Sequence, residues 1–236
     1  MLRTARAVAA KDLRIERRSK VALTQVLPFA LVVVVLFAFA LDPSTSLRAA
    51  TPGLFWVAVL LVLLLAVQRS FAVEVTDGAF DAVRLAELDP AGVFLGKAGA
   101  LAVQLLGVEA AMAVAVLVFY DPTARAADVT PFHVSVGAIM LFVAAAVAAT
   151  TGLVATGTLY GALAAGSRVR DTLLPLLVFP VVAPVLIGAT RATEATLGIG
   201  KTTLSDGWPA VGLLAVFAAV AVATGVLAFG PLLEEA

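Results

Sequence analysis

The sequence predicts an all-α polytopic membrane protein with six transmembrane helices. Six long apolar stretches fill most of the chain, and the Lys and Arg residues between them sort to one side. The composition agrees, because 62% hydrophobic residues and a mean hydropathy of +1.07 over 236 residues exceed what one soluble core can hide.

The stretches are residues 21–41, 53–68, 98–119, 132–162, 172–190 and 208–230, most of them close to the roughly 20 residues that cross about 30 Å of hydrocarbon. The second is short and the fourth long. With a cytoplasmic N-terminus, the inside segments hold Arg3, Arg6, Lys11, Arg14, Arg17, Arg18, Lys20, Arg69, Arg84, Lys97, Arg168 and Arg170. Only Arg48, Arg125, Arg191 and Lys201 fall outside. This asymmetry fixes the orientation, and an even number of spans returns the acidic Glu234 and Glu235 to the cytoplasm. The expected arrangement is therefore a multi-pass membrane protein with both termini in the cytoplasm. No soluble catalytic domain fits in this length, and nothing points to a nucleic-acid partner. With no cysteine in the chain, disulfides, thiolate metal sites and covalent haem attachment are excluded.

Residues 1–20 are expected to form an amphipathic elbow helix, with residues 21–236 making the transmembrane domain. At 100° per residue Arg3, Arg6, Lys11, Arg14, Arg17 and Arg18 share one arc, opposite Leu2, Ala5, Val8, Ala9, Leu13 and Ile15, the pattern of a helix lying along the lipid surface. Asp12 and Glu16 interrupt its apolar face. Ala38-Phe39-Ala40 mimics a signal cleavage site, but residues 21–41 are longer than a signal peptide's apolar region and follow twenty polar-rich residues, so they are expected to be a retained span.

The cytoplasmic segment 69–97 is the most informative polar stretch. Thr76 or Asp77 can cap a short helix on which Ala79, Phe80, Val83 and Ala86 share a face, and Pro90 disfavours helix at Asp89. Such a helix either rests on lipid headgroups or inserts into a groove on a soluble partner.

Within the spans, Glu109 is the one ionisable residue near mid-membrane, where a charge costs several kcal/mol. It is either functional or a hydrogen-bonded packing group, with Thr150, Thr151 or Thr156 as partner and Gln104 and Tyr160 as neighbours. Gly152, Gly157 and Gly161 give span four a small-residue face for close helix packing, within a subunit or between two; Gly92 and Gly96 repeat the spacing at a membrane edge. Pro175, Pro180 and Pro184 should break or bend span five and place it inside the bundle, as a hinge or on a pathway. His133, the only histidine, is read as a solvated interfacial residue. Residues 195–202 loosely match a phosphate loop, but they follow a span and not a strand, so any ATP is expected on a separate subunit.

These residues together resemble the haem exporter protein B, or CcmB, family. The resemblance is carried by Lys11-Asp12-Leu13-Arg14, by Arg69-Ser70-Phe71 with Glu74 and Asp77-Gly78, by Leu85 and Asp89, by Gly96-Lys97, by Gly157-Thr158-Leu159, and by Leu173-Leu174-Pro175 with Pro180 and Pro184-Val185. It implies an ABC-2-like exporter permease for cytochrome c maturation, without an ATPase site of its own. An ABC-type ATPase would bind a coupling helix built on Glu74, Asp77, Gly78, Phe80, Val83, Leu85 and Asp89. Further implied partners are a Trp-rich haem-handling membrane subunit, a small accessory membrane subunit, and a periplasmic haem chaperone reached through the complex, with two permease copies per assembly. Haem would be handled by the complex, since Trp56 and Trp208 stand alone here. Two rivals are a non-transporting membrane scaffold and a secondary transporter; the latter would call for inverted repeats and coupled intramembrane charges, and the chain's halves show no repeat.

Overall fold

The computed structural model describes residues 1–41, 46–76, 88–120, 135–165 and 169–235. Seven helices make up the described chain: α1 (Leu2–Ser19), α2 (Leu27–Ala40), α3 (Ser46–Thr76), α4 (Pro90–Phe119), α5 (Val136–Ala165), α6 (Arg170–Leu197) and α7 (Leu204–Glu235). There is no strand among the described residues. Helices α3 to α7 are each long and apolar enough to cross a membrane. The first expected span, residues 21–41, is a five-residue π-helical turn (Ala22–Val26) continued by α2, bent 56° from α1.

That bend has a local cause. Lys20 takes a left-handed conformation (φ 56°) and its N–H caps Glu16 O at 2.7 Å, which ends α1. Arg17 and Arg18 fill the last turn, where cations oppose the helix dipole. The Glu16 carboxylate then reaches across the break to accept the N–H of Ala22, so one side chain satisfies a donor that the new helix start exposes.

Four spans are longer than the sequence indicates, span six among them at Leu204–Leu232. Span two is not short: its apolar helix covers Leu47–Ala72, because Gln68, Arg69 and Ser70 at its end are accommodated inside the helix. Helix α4 begins at Pro90 and not near residue 98. Asp89 is non-helical (φ −59°, ψ 114°), as a residue before proline should be, and Pro90 occupies the first turn, where a missing N–H costs nothing. Span five continues to Leu197.

Helix α5 is the hub, packing against α3, α4, α6 and α7. Its glycines act inside the chain. A Cβ at Gly161 would lie 2.6 Å from the Phe71 ring of α3, one at Gly157 3.0 Å from Val67, and one at Gly152 2.8 Å from Phe217 of α7, so α3 and α7 approach only because these positions carry no side chain. Gly225 of α7 does the same for Phe94 of α4, whose ring stacks tilted on Phe229 at 5.5 Å. Trp56 is fully buried, edge-on to Phe55, and donates Nε1–H to Thr193 Oγ1 at 2.9 Å, tying α3 to α6. Tyr120 donates to the Val34 carbonyl at 2.8 Å, tying the end of α4 to α2.

Helix α6 corrects one expectation. It runs unbroken through Pro175, Pro180 and Pro184, and it is not interior: Pro180 and Pro184 are exposed, along with Leu176, Phe179 and Ile187. Val178, Val182, Val185 and Ala189 form the packed stripe. The pyrrolidine rings of Pro180 and Pro184 are apolar and extend that exposed apolar face.

The segment at 195–202 ends a helix and follows it with two left-handed turns. Gly198 (φ 64°) caps α6, Gly200 (φ 69°) turns the chain again, and the Thr202 hydroxyl folds back onto the carbonyls of Ile199 and Glu194 at 2.8 and 3.1 Å. The glycines are used for left-handed backbone.

Candidate functional site

Two polar constellations are built into the bundle, one at the edge on the N-terminal side and one in mid-span. The first assembles where α1, α3 and α4 meet. Gly92 and Gly96 lack the side chains that would collide with α1: a Cβ at Gly92 would lie 2.7 Å from Met1 O and from Thr4 Cβ, and one at Gly96 2.6 Å from Ala5 O. The weaker-looking Gly-x-x-x-Gly is therefore the seat of the amphipathic helix. Seated there, α1 turns Val8 toward the core, as its apolar pattern requires, and Asp12 and Glu16 inward with it.

Asp12 meets Lys97. This lysine, assigned by sequence to a cytoplasmic segment, lies inside α4 with its side chain 1% exposed. Its Nζ donates to Ser70 Oγ at 3.1 Å, stands 3.7 Å from Asp12 Oδ2, and lies 4.7 Å from the centroid of the Phe71 ring. A hydroxyl, a carboxylate and an aromatic face together stabilise an ammonium that burial alone would disfavour. Lys11 flanks the same carboxylate at 3.1 Å from Oδ1. Asp12 and Glu16, which look like blemishes on an apolar face, are side chains by which α1 bonds beyond its own helix.

Asp89 lies at the same end, half exposed, its Oδ2 2.9 Å from the Met1 amino group. That ammonium, by hydrogen bond and charge, holds the Asp89 carboxyl below its ordinary range against a smaller opposing effect of desolvation. Glu74 falls in the last turn of α3. Asp77, Gly78, Phe80, Val83 and Leu85 lie outside the described residues, as does His133.

The second constellation is Glu109. It is 2% exposed on α4, and its Oε1 accepts from Thr150 of α5 at 2.6 Å, while Oε2 is buried without a partner. Of the three threonines the sequence offers, the helix crossing selects Thr150. Thr151 bonds back to Val147 O at 2.7 Å. Thr156 and Thr158 are buried, the latter with an unpartnered hydroxyl. Gln104 and Tyr160 are half-buried and make no hydrogen bond to the carboxyl; Gln104 lines a cavity on the α1 side instead. No cluster of potential metal ligands occurs among the described residues.

The arrangement can hold three helix ends as one unit at the membrane edge. It can also keep one carboxyl, with spare acceptor capacity, deep in the bundle. Sequence reasoning missed the role of Lys97; the signal available was Gly96-Lys97 about two turns inside a proline-initiated helix.

Comparison with known proteins bears on the same stretch of chain. The model of the family described as CcmB protein matches residues 3–234. Heme exporter protein B of Paracoccus denitrificans (strain Pd 1222) is 31% identical over 202 residues, covering 84% of this chain and 86% of that protein. Heme exporter protein B of Rhodobacter capsulatus is also 31% identical, over 198 residues, 82% of this chain and 84% of the relative. The Escherichia coli K12 protein of the same name is 36% identical over a shorter stretch of 87 residues, 36% of this chain and 40% of its own length.

Proposed function

This chain belongs to the CcmB family, and from that premise we propose that it is the multi-pass permease subunit of a haem-export and cytochrome c maturation complex driven by a separate ATPase. The observation that carries the reading is the match over residues 3–234, together with relatives called heme exporter protein B that align over most of their own length.

The chain's own parts fit such a role. Coupling to an ATPase needs a surface that receives a push and a rigid route into the membrane. Residues 74–89 join α3 to α4, and both helices are anchored where they flank that connection. Phe71 is wedged against Gly161 of α5, and Lys97 links α4 to Ser70 of α3 and Asp12 of α1. A displacement of the connection is thereby carried to three helices at once. Glu74, Asp77, Gly78, Phe80, Val83, Leu85 and Asp89 are the proposed docking residues, with Phe80 and Val83 entering an apolar groove on the ATPase.

In this reading ATP is hydrolysed by the partner, and the cargo is haem itself or the haem-loaded periplasmic chaperone released from a Trp-rich membrane subunit. The assembly sits in the cytoplasmic membrane with both termini inside, and it contains two copies of this chain with a small accessory subunit. Helix α6, with three carbonyls deprived of their usual donors by Pro175, Pro180 and Pro184, is the span best suited to bend, and Glu109 is the intramembrane carboxyl that the motion would expose or cover. The test is the double variant Phe80→Asp, Val83→Asp. It should insert at normal levels and lose the ATPase on mild-detergent purification; undiminished association would remove the docking assignment.

A further inference from the structure

The seat of α1 sets its depth in the membrane. The helix packs on Gly92 and Gly96, in the first two turns of α4. Helix α4 has 30 residues, which at 1.5 Å per residue is about 45 Å, the thickness of a bilayer with its headgroups and not of the ~30 Å hydrocarbon alone. Its first turns, and α1 with them, therefore lie at headgroup level. The chain also bends 56° between α1 and α2, which turns α1 away from the direction of the span and toward the plane of the surface.

The side on which α1 meets the bundle decides what it offers to its surroundings. Met1, Thr4, Ala5 and Val8 lie against Gly92 and Gly96. At 100° per residue Arg3, Arg6, Arg14, Arg17 and Arg18 fall within an arc of about 120°, centred nearly opposite that contact. All five are exposed, as is Lys20 at the end of the helix. The two acidic residues of α1 are turned inward, Asp12 beside Lys97 and Lys11, and Glu16 onto the Ala22 N–H. None of the six outward cations pairs with a carboxylate among the described residues. Their charge stands uncompensated on one face.

The apolar side, by contrast, is used against the bundle. Of the large apolar residues in α1 only Leu2 and Ile15 are exposed, and they fall on opposite flanks of the cationic arc. A helix held by apolar insertion would attach to any bilayer, whereas one whose outer face carries only charge discriminates by headgroup. The five arginines extend from residue 3 to residue 18, about 22 Å of helix, which suits a row of headgroups and calls for no pocket. Guanidinium forks match phosphate oxygens in pairs.

We propose that the outer face of α1 is a binding surface for anionic phospholipid headgroups of the leaflet on the N-terminal side, with Arg3, Arg6, Arg14, Arg17, Arg18 and Lys20 on the phosphates. Helix α1 is then clamped between α4 and the lipid surface, and the charge of the leaflet sets how firmly it stays on Gly92 and Gly96. The proposal stands apart from the transport reading and does not depend on it.

The experiment is hydrogen exchange, read by mass spectrometry, on the full-length protein in vesicles of phosphatidylcholine alone or with about 30 mol% phosphatidylglycerol. Amides of residues 2–19 should exchange about tenfold more slowly in the anionic vesicles while those of α6 stay unchanged, and salt at about 0.5 M should remove the difference. Replacing Arg3, Arg6, Arg14 and Arg17 together with Gln should abolish the slowing, in protein whose unfolding temperature in neutral lipid equals the parent's. The same four positions changed to Lys should retain it, since the charge and the membrane orientation are both kept. Equal exchange in the two vesicles at low salt would overturn the assignment, and so would a slowing that survives both high salt and the Gln variant. Slowing that ignores lipid charge and appears only when a soluble partner subunit is added would also overturn it, in favour of an acidic protein surface.

Discussion

Lys97 and Glu109 lie on the same helix, three turns apart, and the protein treats their charges in opposite ways. At the membrane edge the buried ammonium is given a carboxylate, a hydroxyl and an aromatic face. In mid-span the buried carboxyl receives one threonine, and its second oxygen receives nothing. A charge with a full set of partners is a fastening; removing one partner strands the other, which costs more than the pair contributed. A carboxyl kept under-supplied in hydrocarbon gains little stability from its position, so its removal should leave the fold intact.

Replacing Lys97 with Leu should give the largest effect. It strands Asp12 beside an apolar contact, with only Lys11 to neutralise it, and should cost about 2 to 4 kcal/mol. The loss would be read as a lower unfolding temperature in detergent, and α1 should become the first segment cut by protease. Replacing Asp12 and Lys97 together with Leu should recover most of that loss, and a double variant no better than the single one would mean the pair is not coupled.

Glu109→Leu should leave stability within about 1 kcal/mol of the parent, and Glu109→Gln closer still, since an amide oxygen can keep the Thr150 bond. Both should lower the yield of c-type cytochromes several-fold in a cell that depends on this chain. Full activity of both would make Glu109 a packing residue and remove the contrast with Lys97.

The smallest effect concerns Asp89. Its folded pKa lies below the ordinary 3.8, so its contribution to stability is fully present above that pH and disappears as the pH falls through the lowered value. Asp89→Asn should therefore lower stability slightly at neutral pH, with the difference from the parent vanishing as the pH falls below about 4. A difference that persists unchanged in acid, or none at neutral pH, would contradict the ion pair.

The positions of the six apolar stretches were legible because hydropathy over a span-length window is insensitive to any one residue. Their ends were not, because Gln68, Arg69, Ser70 and Lys97 read as boundaries when each is in fact built into a helix that continues past it. Pro90 was recognised as a stop for what precedes it, though the same residue starts α4. The threonine hydroxyl for Glu109 was among the expected three, but choosing Thr150 required the crossing of α4 and α5. Asp12 and Glu16 pointed the wrong way for a helix floating on lipid; only the approach allowed by Gly92 and Gly96 shows what they bond to. Gly225 gave no signal at all, being a lone glycine whose importance lies in Phe94 on another helix.

Affinity purification of this chain from its native membrane in mild detergent, with co-purifying subunits identified by mass spectrometry, decides whether it works with a separate ATPase. A soluble ATP-binding-cassette subunit should be recovered together with a Trp-rich membrane partner. Repeated recovery without any ATPase, in detergent that keeps a control transporter intact, would contradict it.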